Sequence, residues 1–228
     1  MKSGNKKGIL LLIFISIILC VACLIEYALL SSSREQNRKL RSGQVQAENS
    51  RKATAAKKKQ ELAGDGVKAH GKLSVKGIDL TDKNGDKVQL RGMSSHGLLW
   101  YPEYTNYASI YETKKHGANM FRIAMYSDDG NGGYIQNPEL SWKLMQAAIE
   151  NTLAADMYAV VDWHVLREQN PLHNVDKAKE FFSKVSALYG DEAGVIYEIC
   201  NEPNGDTTWE DIVEYASQVI PVIRENAS

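Results

Sequence analysis

A glutamate and an asparagine at the end of an apolar segment have the types and spacing that could do chemistry. Asn201-Glu202-Pro203 directly follows the apolar residues 195–199. Pro203 ends that segment because proline cannot donate to a β-ladder, and it favours an extended backbone at Glu202. A carboxylic acid held this way could protonate a departing oxygen. Cleavage of a glycosidic bond needs such an acid and a second carboxyl group that attacks the sugar carbon or activates water.

Alternating strands and helices are predicted upstream and downstream of this site. Strands are predicted at residues 89–93, 119–125, 158–163 and 195–199, and helices at residues 107–116, 138–156, 174–189 and 207–226. The last three helices are predicted to start at Asn137 with Pro138, at Asn174, and at a capping box of Thr207 and Glu210. Four consecutive strand–helix units predict a parallel sheet with crossover helices. Asn84-Gly85 predicts a β-hairpin between residues 73–80 and 87–90.

Polar and aromatic residues follow every predicted strand. They are His96, Trp100 and Tyr101, then Tyr126, then His164, and finally Asn201 and Glu202. A (β/α)8 barrel (TIM barrel) brings the carboxyl ends of its strands to one rim, where the active site lies. An open Rossmann-type sheet is the alternative, but no glycine-rich turn follows the first strand. The sequence therefore predicts an α/β protein of the barrel type.

An apolar segment with basic flanks opens the chain. Lys2, Lys6 and Lys7 lie in the basic residues 1–7, and residues 8–30 contain Glu26 as their single charge. This is near the length that spans a bilayer, so residues 8–30 are predicted to be a transmembrane signal-anchor or a cleaved signal peptide. Cys20-Val-Ala-Cys23 is also an imperfect match to a lipoprotein processing site. We expect an exported protein with residues 9–30 in the cell membrane and an extracellular domain, or a secreted one after cleavage.

Residues 31–71 are predicted to form a flexible basic tether, followed by a domain at residues 72–228. Residues 31–72 carry 11 lysines and arginines against 4 aspartates and glutamates, and contain no aromatic side chain except histidine. Such a segment cannot bury enough apolar surface to fold. It suits either contact with anionic lipid head groups or a purely solvated spacer.

The composition of the domain excludes several classes of function. Residues 73–228 carry 13 basic against 23 acidic side chains, which argues against binding to nucleic acid. Cys200 is the only cysteine there, so no disulfide can form within the domain. No metal-ligand spacing or phosphate loop is present, and we expect no metal, no cofactor and a monomer.

Four motifs together resemble one family. They are LRGMSSHG at residues 90–97 with Trp100-Tyr101, FRIAMY at residues 121–126, VDWH at residues 161–164 and IYEICNEP at residues 196–203. In this order they resemble the bacterial endoglucanase branch of glycoside hydrolase family 5, within the clan of retaining (β/α)8 glycosidases. The resemblance implies hydrolysis of internal β-1,4-glucosidic bonds in cellulose or related β-glucans. A mannanase or xyloglucanase of the same clan and a non-catalytic, membrane-tethered carbohydrate-binding remnant are the alternatives.

The resemblance also implies a role for each candidate site residue. Glu202 would be the general acid that later acts as base, Asn201 would bind the sugar 2-hydroxyl, and Arg122 would orient the nucleophilic carboxylate. Trp100 would stack on a pyranose ring. The sugar hydroxyls would be bound by His96, Tyr101, Tyr126 and His164.

Structural alternatives exist for these residues and their neighbours. Arg122 could be a structural ion-pair partner, His164 a core histidine, and His96 a loop cap, with Trp100 and Tyr101 packing at the rim. Trp163 is expected in the core, and Glu198 is expected to pair with a barrel residue. Asp128, Asp129 and Glu168 are expected to be solvated loop charges.

The family's attacking carboxylate is expected on a later strand, usually before Trp-Gly, and no such residue follows here. Residues 73–228 number 156, whereas a complete barrel takes about 250. We therefore expect a barrel truncated after about four βα units, inactive as written.

Overall fold

The computed structural model describes residues 64–130 and 132–227. The predicted membrane segment and residues 31–63 of the predicted tether lie outside these ranges. Residues 64–71, the last part of that tether, are instead attached to the folded domain. In the described ranges, no helix has both the length and the apolar character needed to cross a bilayer.

Six strands and five α-helices build the described domain. The strands are β1 (Ser74–Lys76), β2 (Asp79–Thr81), β3 (Gly92–Ser94), β4 (Met120–Tyr126), β5 (Tyr158–His164) and β6 (Val195–Glu198). The helices are α1 (Val67–His70), α2 (Tyr107–Lys115), α3 (Pro138–Ala154), α4 (Val175–Tyr189) and α5 (Trp209–Arg224). Two short 3₁₀ helices cover Pro102–Thr105 and Pro171–Asn174.

The main sheet confirms the predicted parallel topology. Its order is β3-β4-β5-β6, and each neighbouring pair runs parallel, joined by a helix. Residues alternate strictly between its two faces. On β4 and β5 the odd-numbered side chains, among them Ile123, Val161 and Trp163, are buried in the core with helices α3 and α4. The even-numbered side chains, among them Arg122 and Asp162, therefore share the opposite face.

The helices on the core side follow apolar spacing in the sequence. On α4 the buried residues are Ala178, Phe181, Phe182, Val185, Ser186 and Tyr189, which lie on one side of the helix. On α5 the buried residues Tyr215, Val219 and Ile223 are four apart. Both helices therefore bury one stripe against the sheet.

The predicted helix starts need two corrections. Thr208, not Thr207, begins α5: its hydroxyl accepts from the Asp211 N–H at 3.2 Å, and the Asp211 carboxylate accepts from the Thr208 N–H at 2.9 Å. The Thr207 hydroxyl donates to the Asn204 carbonyl instead. Asn174 precedes α4 but makes no side-chain cap bond, because it closes the preceding 3₁₀ helix.

The region before the sheet differs from the predicted hairpin. The predicted strand at residues 73–80 is interrupted at Gly77, whose φ of +66° allows β1 to turn back antiparallel onto β2. A single bridge between Thr81 and Lys87 encloses the Asn84-Gly85 turn. The first strand of the sheet begins at Gly92, three residues later than predicted.

A histidine between two aspartates holds residues 64–91 together. His70 Nε2 lies 3.0 Å from Asp65 Oδ1, and His70 Nδ1 lies 3.2 Å from Asp82 Oδ2. Asp65 also pairs with Arg91 and accepts from the Asn119 amide at 3.3 Å. Burial alone lowers the pKa of His70, but the hydrogen bonds and charges of the two carboxylates outweigh it and raise the pKa above its ordinary value. Two acceptors therefore favour the doubly protonated ring.

Candidate active site

Strand register places three charged side chains together on the even-numbered face. Asp162 on β5 lies directly opposite Glu198 on β6, and Ala124 on β4 lies opposite Asp162. Arg122 is two residues before Ala124 on the same face, and its long side chain reaches Asp162 on β5 and Glu198 on β6. This arrangement follows from parallel pairing alone and needs no loop.

Arg122 is the centre of this group. Its Nε and Nη2 atoms donate to the two oxygens of Glu198 at 2.7 and 2.6 Å, a bidentate pair. Nη2 also lies 2.9 Å from Asp162 Oδ2 and 2.9 Å from Asn201 Oδ1. Arg122 thus links the interior of the sheet to the residue that precedes Glu202.

Asn201 and Glu202 lie on the loop that follows β6. The Asn201 amide nitrogen is 3.2 Å from His164 Nε2 and donates to the Val165 carbonyl at 3.2 Å. The Glu202 N–H donates to the same carbonyl at 3.3 Å, while the Glu202 side chain is exposed. The backbone of Glu202 is therefore held against the end of β5, and its carboxyl group is free to meet a ligand.

An aromatic cluster lies beside this group. Tyr126 at the end of β4 is at its centre: its ring centroid is 4.2 Å from that of His164, 4.9 Å from Trp100 and 5.8 Å from His96. Tyr101 packs edge-on against His96 at 5.4 Å. Trp100 remains 39% exposed and Tyr101 46%. Residues from three different strand ends thus form one partly exposed aromatic surface.

The electrostatics of the site agree with its geometry. The hydrogen bonds to Glu198 raise the pKa of Arg122, opposed by burial and helped by the charges of Asp162, Glu198 and Glu202. Burial raises the pKa of Tyr126, and the charges of Asp129, Asp162 and Glu202 add to that effect. Burial also raises the pKa of Asp162, against the opposing hydrogen bond from His164 and the charge of Arg122. The charge of Glu202 therefore acts on both Arg122 and Tyr126.

Contacts join seven of the eight residues predicted for the site, and the eighth, Glu202, follows Asn201 in the chain. The seven are His96, Trp100, Tyr101, Arg122, Tyr126, His164 and Asn201. Trp163 is completely buried in the core, and Glu198 pairs with Arg122, both as expected. His164 belongs to the site rather than the core, since its Nε2 faces Asn201.

The expectation of solvated loop charges is wrong for Asp129 and Glu168. Asp129 is buried and pairs with Arg167 Nε at 2.6 Å. Glu168 is half-buried; it accepts from the Leu166 N–H at 3.1 Å and from the Ser127 hydroxyl. Asp128 accepts from the Gln136 amide at 2.6 Å in an exposed hydrogen bond, which is compatible with a solvated charge.

Sequence reasoning missed Asp162. Its side chain is fully buried, and Asp162 Oδ2 lies 2.6 Å from His164 Nδ1. The available signal was an aspartate inside an otherwise apolar strand, two residues before a histidine that must share its face. Among the residues that the structure describes, no group of three His, Cys, Asp or Glu side chains could hold a metal ion.

Comparison with known proteins agrees with this arrangement. A sequence model described as cellulase (glycosyl hydrolase family 5) matches residues 81–228. The chain belongs to glycoside hydrolase family 5. An endoglucanase of Clostridium saccharobutylicum is 45% identical over 156 residues, which cover 68% of this chain and 34% of that protein. Endoglucanase A of Butyrivibrio fibrisolvens is 44% identical over 162 residues, which cover 69% of this chain and 38% of that protein.

A solved structure supports the family's barrel-type fold. It is a variant of the catalytic domain of Thermobifida fusca endoglucanase Cel5A (E5) in complex with cellotetraose. The TM-score is 0.68 at 38% identity, covering 72% of this chain and 53% of that chain. The four strand–helix units are therefore part of a (β/α)-barrel fold. The chain spans somewhat over a third of the curated relatives and about half of the solved domain.

Proposed function

We propose that this protein hydrolyses internal β-1,4-glucosidic bonds of cellulose or related β-glucans, with Glu202 as the catalytic acid/base and net retention at the anomeric carbon. One observation carries the proposal. The exposed Glu202 side chain follows Asn201, whose amide contacts both Arg122 and His164, at the carboxyl end of a barrel strand. That end is where barrel enzymes place their catalytic groups.

The aromatic cluster fits a glucan chain. Trp100 and Tyr101 present partly exposed rings beside Tyr126, and the apolar C–H face of glucose packs well on such a ring. His96 and His164 border the same surface with polar ring nitrogens that can bind sugar hydroxyls. Stacking would give affinity for the glucan, and the polar groups would fix the orientation of the glucan.

A retaining mechanism needs a second carboxyl group about 5 Å from the acid. Within residues 64–130 and 132–227, the two carboxylates that share the inner face with Arg122 are already engaged. Asp162 is fully buried, and both oxygens of Glu198 bind the guanidinium. We therefore assign the acid/base step to this part of the chain and leave the nucleophile unassigned.

Substrate class rests on the relatives. The two curated relatives compared above are named endoglucanases, and the solved relative binds cellotetraose. A β-1,4-glucan is accordingly favoured over mannan or xyloglucan. Because a polymeric glucan cannot cross a bilayer, the enzyme would act outside the cell. We propose that it acts as a monomer. Residues 8–30 would direct its export or anchor it, and residues 31–63 would extend it from the surface.

The test is the release of reducing sugar from carboxymethylcellulose by the chain and by the protein encoded by its whole reading frame. Glu202→Gln should lower the rate by about 10² to 10⁴-fold, the usual contribution of a general acid/base. Glu210→Gln is the matched control, because Glu210 is an exposed carboxylate in the first turn of α5. NMR of the first product should show the anomeric configuration of the substrate.

Three outcomes would contradict the proposal. Hydrolysis that survives Glu202→Gln would exclude the acid/base role. Faster hydrolysis of mannan than of glucan would favour the mannanase alternative. Binding of cellotetraose without hydrolysis by either form of the protein would favour a carbohydrate-binding protein.

A further inference from the structure

The orientation of the Asn201 side-chain amide is determined by its neighbours. One side of the amide faces the Val165 carbonyl, which can only accept, and the other faces the Arg122 guanidinium, which can only donate. The nitrogen must therefore lie toward Val165 and the oxygen toward Arg122. In the opposite orientation the amide oxygen would face the Val165 carbonyl and the amide nitrogen would face the Arg122 guanidinium, so acceptor would meet acceptor and donor would meet donor.

This orientation determines the tautomer of His164. The Asn201 nitrogen that faces Val165 also lies 3.2 Å from His164 Nε2, so this ring nitrogen must accept a hydrogen bond. The proton of a neutral ring is then on Nδ1. That atom lies 2.6 Å from Asp162 Oδ2, where its proton is donated to a carboxylate.

Asp162 closes the set into a ring. The same Oδ2 atom that accepts from His164 lies 2.9 Å from Arg122 Nη2, which donates to Asn201 Oδ1 at 2.9 Å. Three hydrogen bonds and one ion pair thus connect Asp162, His164, Asn201 and Arg122 in a closed cycle. Asp162 is fully buried, so the cycle is anchored where water does not compete.

We propose that Asp162 is a positioning residue, which holds the Asn201 amide in one orientation through His164 and Arg122. In this orientation one lone pair of Asn201 Oδ1 is left to accept a further hydrogen bond. Both Asn201 amide protons are used by Val165 and His164. Asn201 would therefore accept a hydrogen bond from a sugar hydroxyl and would not donate one. This last step rests on the proposed function, whereas the cycle itself does not.

The tautomer of His164 tests the cycle without any substrate. In the full chain labelled with ¹⁵N-histidine, His164 should show a protonated Nδ1 and an unprotonated Nε2. Asp162→Ala should lower the fraction of His164 rings protonated on Nδ1, because Nδ1 then loses its acceptor and Arg122 loses one of its ion-pair partners. Asp162→Asn should keep the preference for a protonated Nδ1. Arg122 can only donate, so the oxygen of the new amide should take the place of Oδ2 and accept from both Arg122 and His164. Asp176→Ala, on the exposed surface of α4, is the control and should change nothing. A proton on Nε2 in the unaltered protein, or an unchanged tautomer in Asp162→Ala, would overturn the proposal.

A double-mutant cycle tests the link to hydrolysis. Asp162→Ala should lower kcat for carboxymethylcellulose by about 10²-fold with KM nearly unchanged, as expected when a reacting group is misplaced by about 1 Å. Once Asn201→Ala is present, adding Asp162→Ala should cost less than about 2-fold, because Asp162 is proposed to act on hydrolysis through the orientation of Asn201. Fully additive losses would refute the positioning role. If the protein encoded by the whole reading frame shows no hydrolysis, the proposed function fails, and the tautomer experiment still decides the cycle.

Discussion

Two tyrosines with buried hydroxyl groups should respond differently to the same small change. Tyr215 on α5 is fully buried and donates its hydroxyl to the Ile199 carbonyl at 2.6 Å. Tyr197 on β6 also has a buried hydroxyl, but it finds no hydrogen-bond partner among the residues that the structure describes. Burial raises the pKa of Tyr197 to about 12, with no other contribution. Replacement by phenylalanine removes one oxygen atom in each case and retains the packed ring.

The expected magnitudes follow from these contacts. Tyr215→Phe leaves the Ile199 carbonyl without its donor, which costs about 1 to 3 kcal/mol of the free energy of unfolding. With a urea slope of about 2 kcal/mol/M, a loss of about 2 kcal/mol lowers the unfolding midpoint by about 1 M. Tyr197→Phe removes a hydroxyl that was desolvated without compensation, so it should leave the stability unchanged or raise it by up to about 1 kcal/mol.

Urea unfolding followed by far-UV circular dichroism measures both changes. The slopes should match that of the unaltered protein, so that midpoints report stability alone. Tyr111→Phe, at a partly exposed tyrosine of α2, controls for the general effect of losing a hydroxyl. Equal losses for Tyr215→Phe and Tyr197→Phe would refute the reasoning, since they would show that the hydrogen bond does not distinguish the two sites.

Three further predictions concern stability and binding. The advantage of the unaltered protein over His70→Ala in free energy of unfolding should be largest below the ordinary histidine pKa and should decrease as pH rises through the raised folded-state pKa. An equal advantage at about pH 5.5 and about pH 9 in urea unfolding would contradict this prediction. Thr208→Ala should cost about 1 kcal/mol through loss of the helix cap, and Thr208→Ser should restore it in the same assay. Gly132→Ala would place a methyl group 2.1 Å from Trp100 Nε1 and displace that ring. Calorimetry should then show about tenfold weaker binding of cellotetraose, roughly 1.4 kcal/mol. Unchanged affinity would show that Trp100 is not part of the binding surface.

Much of the fold could be predicted because apolar periodicity is local. The continuous apolar stretch around Val161 predicted a buried strand, and Asn174 predicted the start of the helix that covers it. Boundaries were less accurate, as at Gly92 and Thr208, because a strand or helix end depends on which neighbour supplies the next hydrogen bond. The break at Gly77 also depended on a pairing partner that a single segment does not reveal.

The sequence by itself determined the family, the order of the strand–helix units and the residues that follow each strand, since all of these are written in short contiguous motifs. Only the tertiary structure decided which of the charged side chains meet. In the sequence Asp162 is a single charge in an apolar strand. In the structure, strand register places it opposite Glu198 and within reach of Arg122. The physical reason is that hydrogen bonds and ion pairs act over about 3 Å. Partners 36 to 79 residues apart in the chain are therefore selected by strand register and packing.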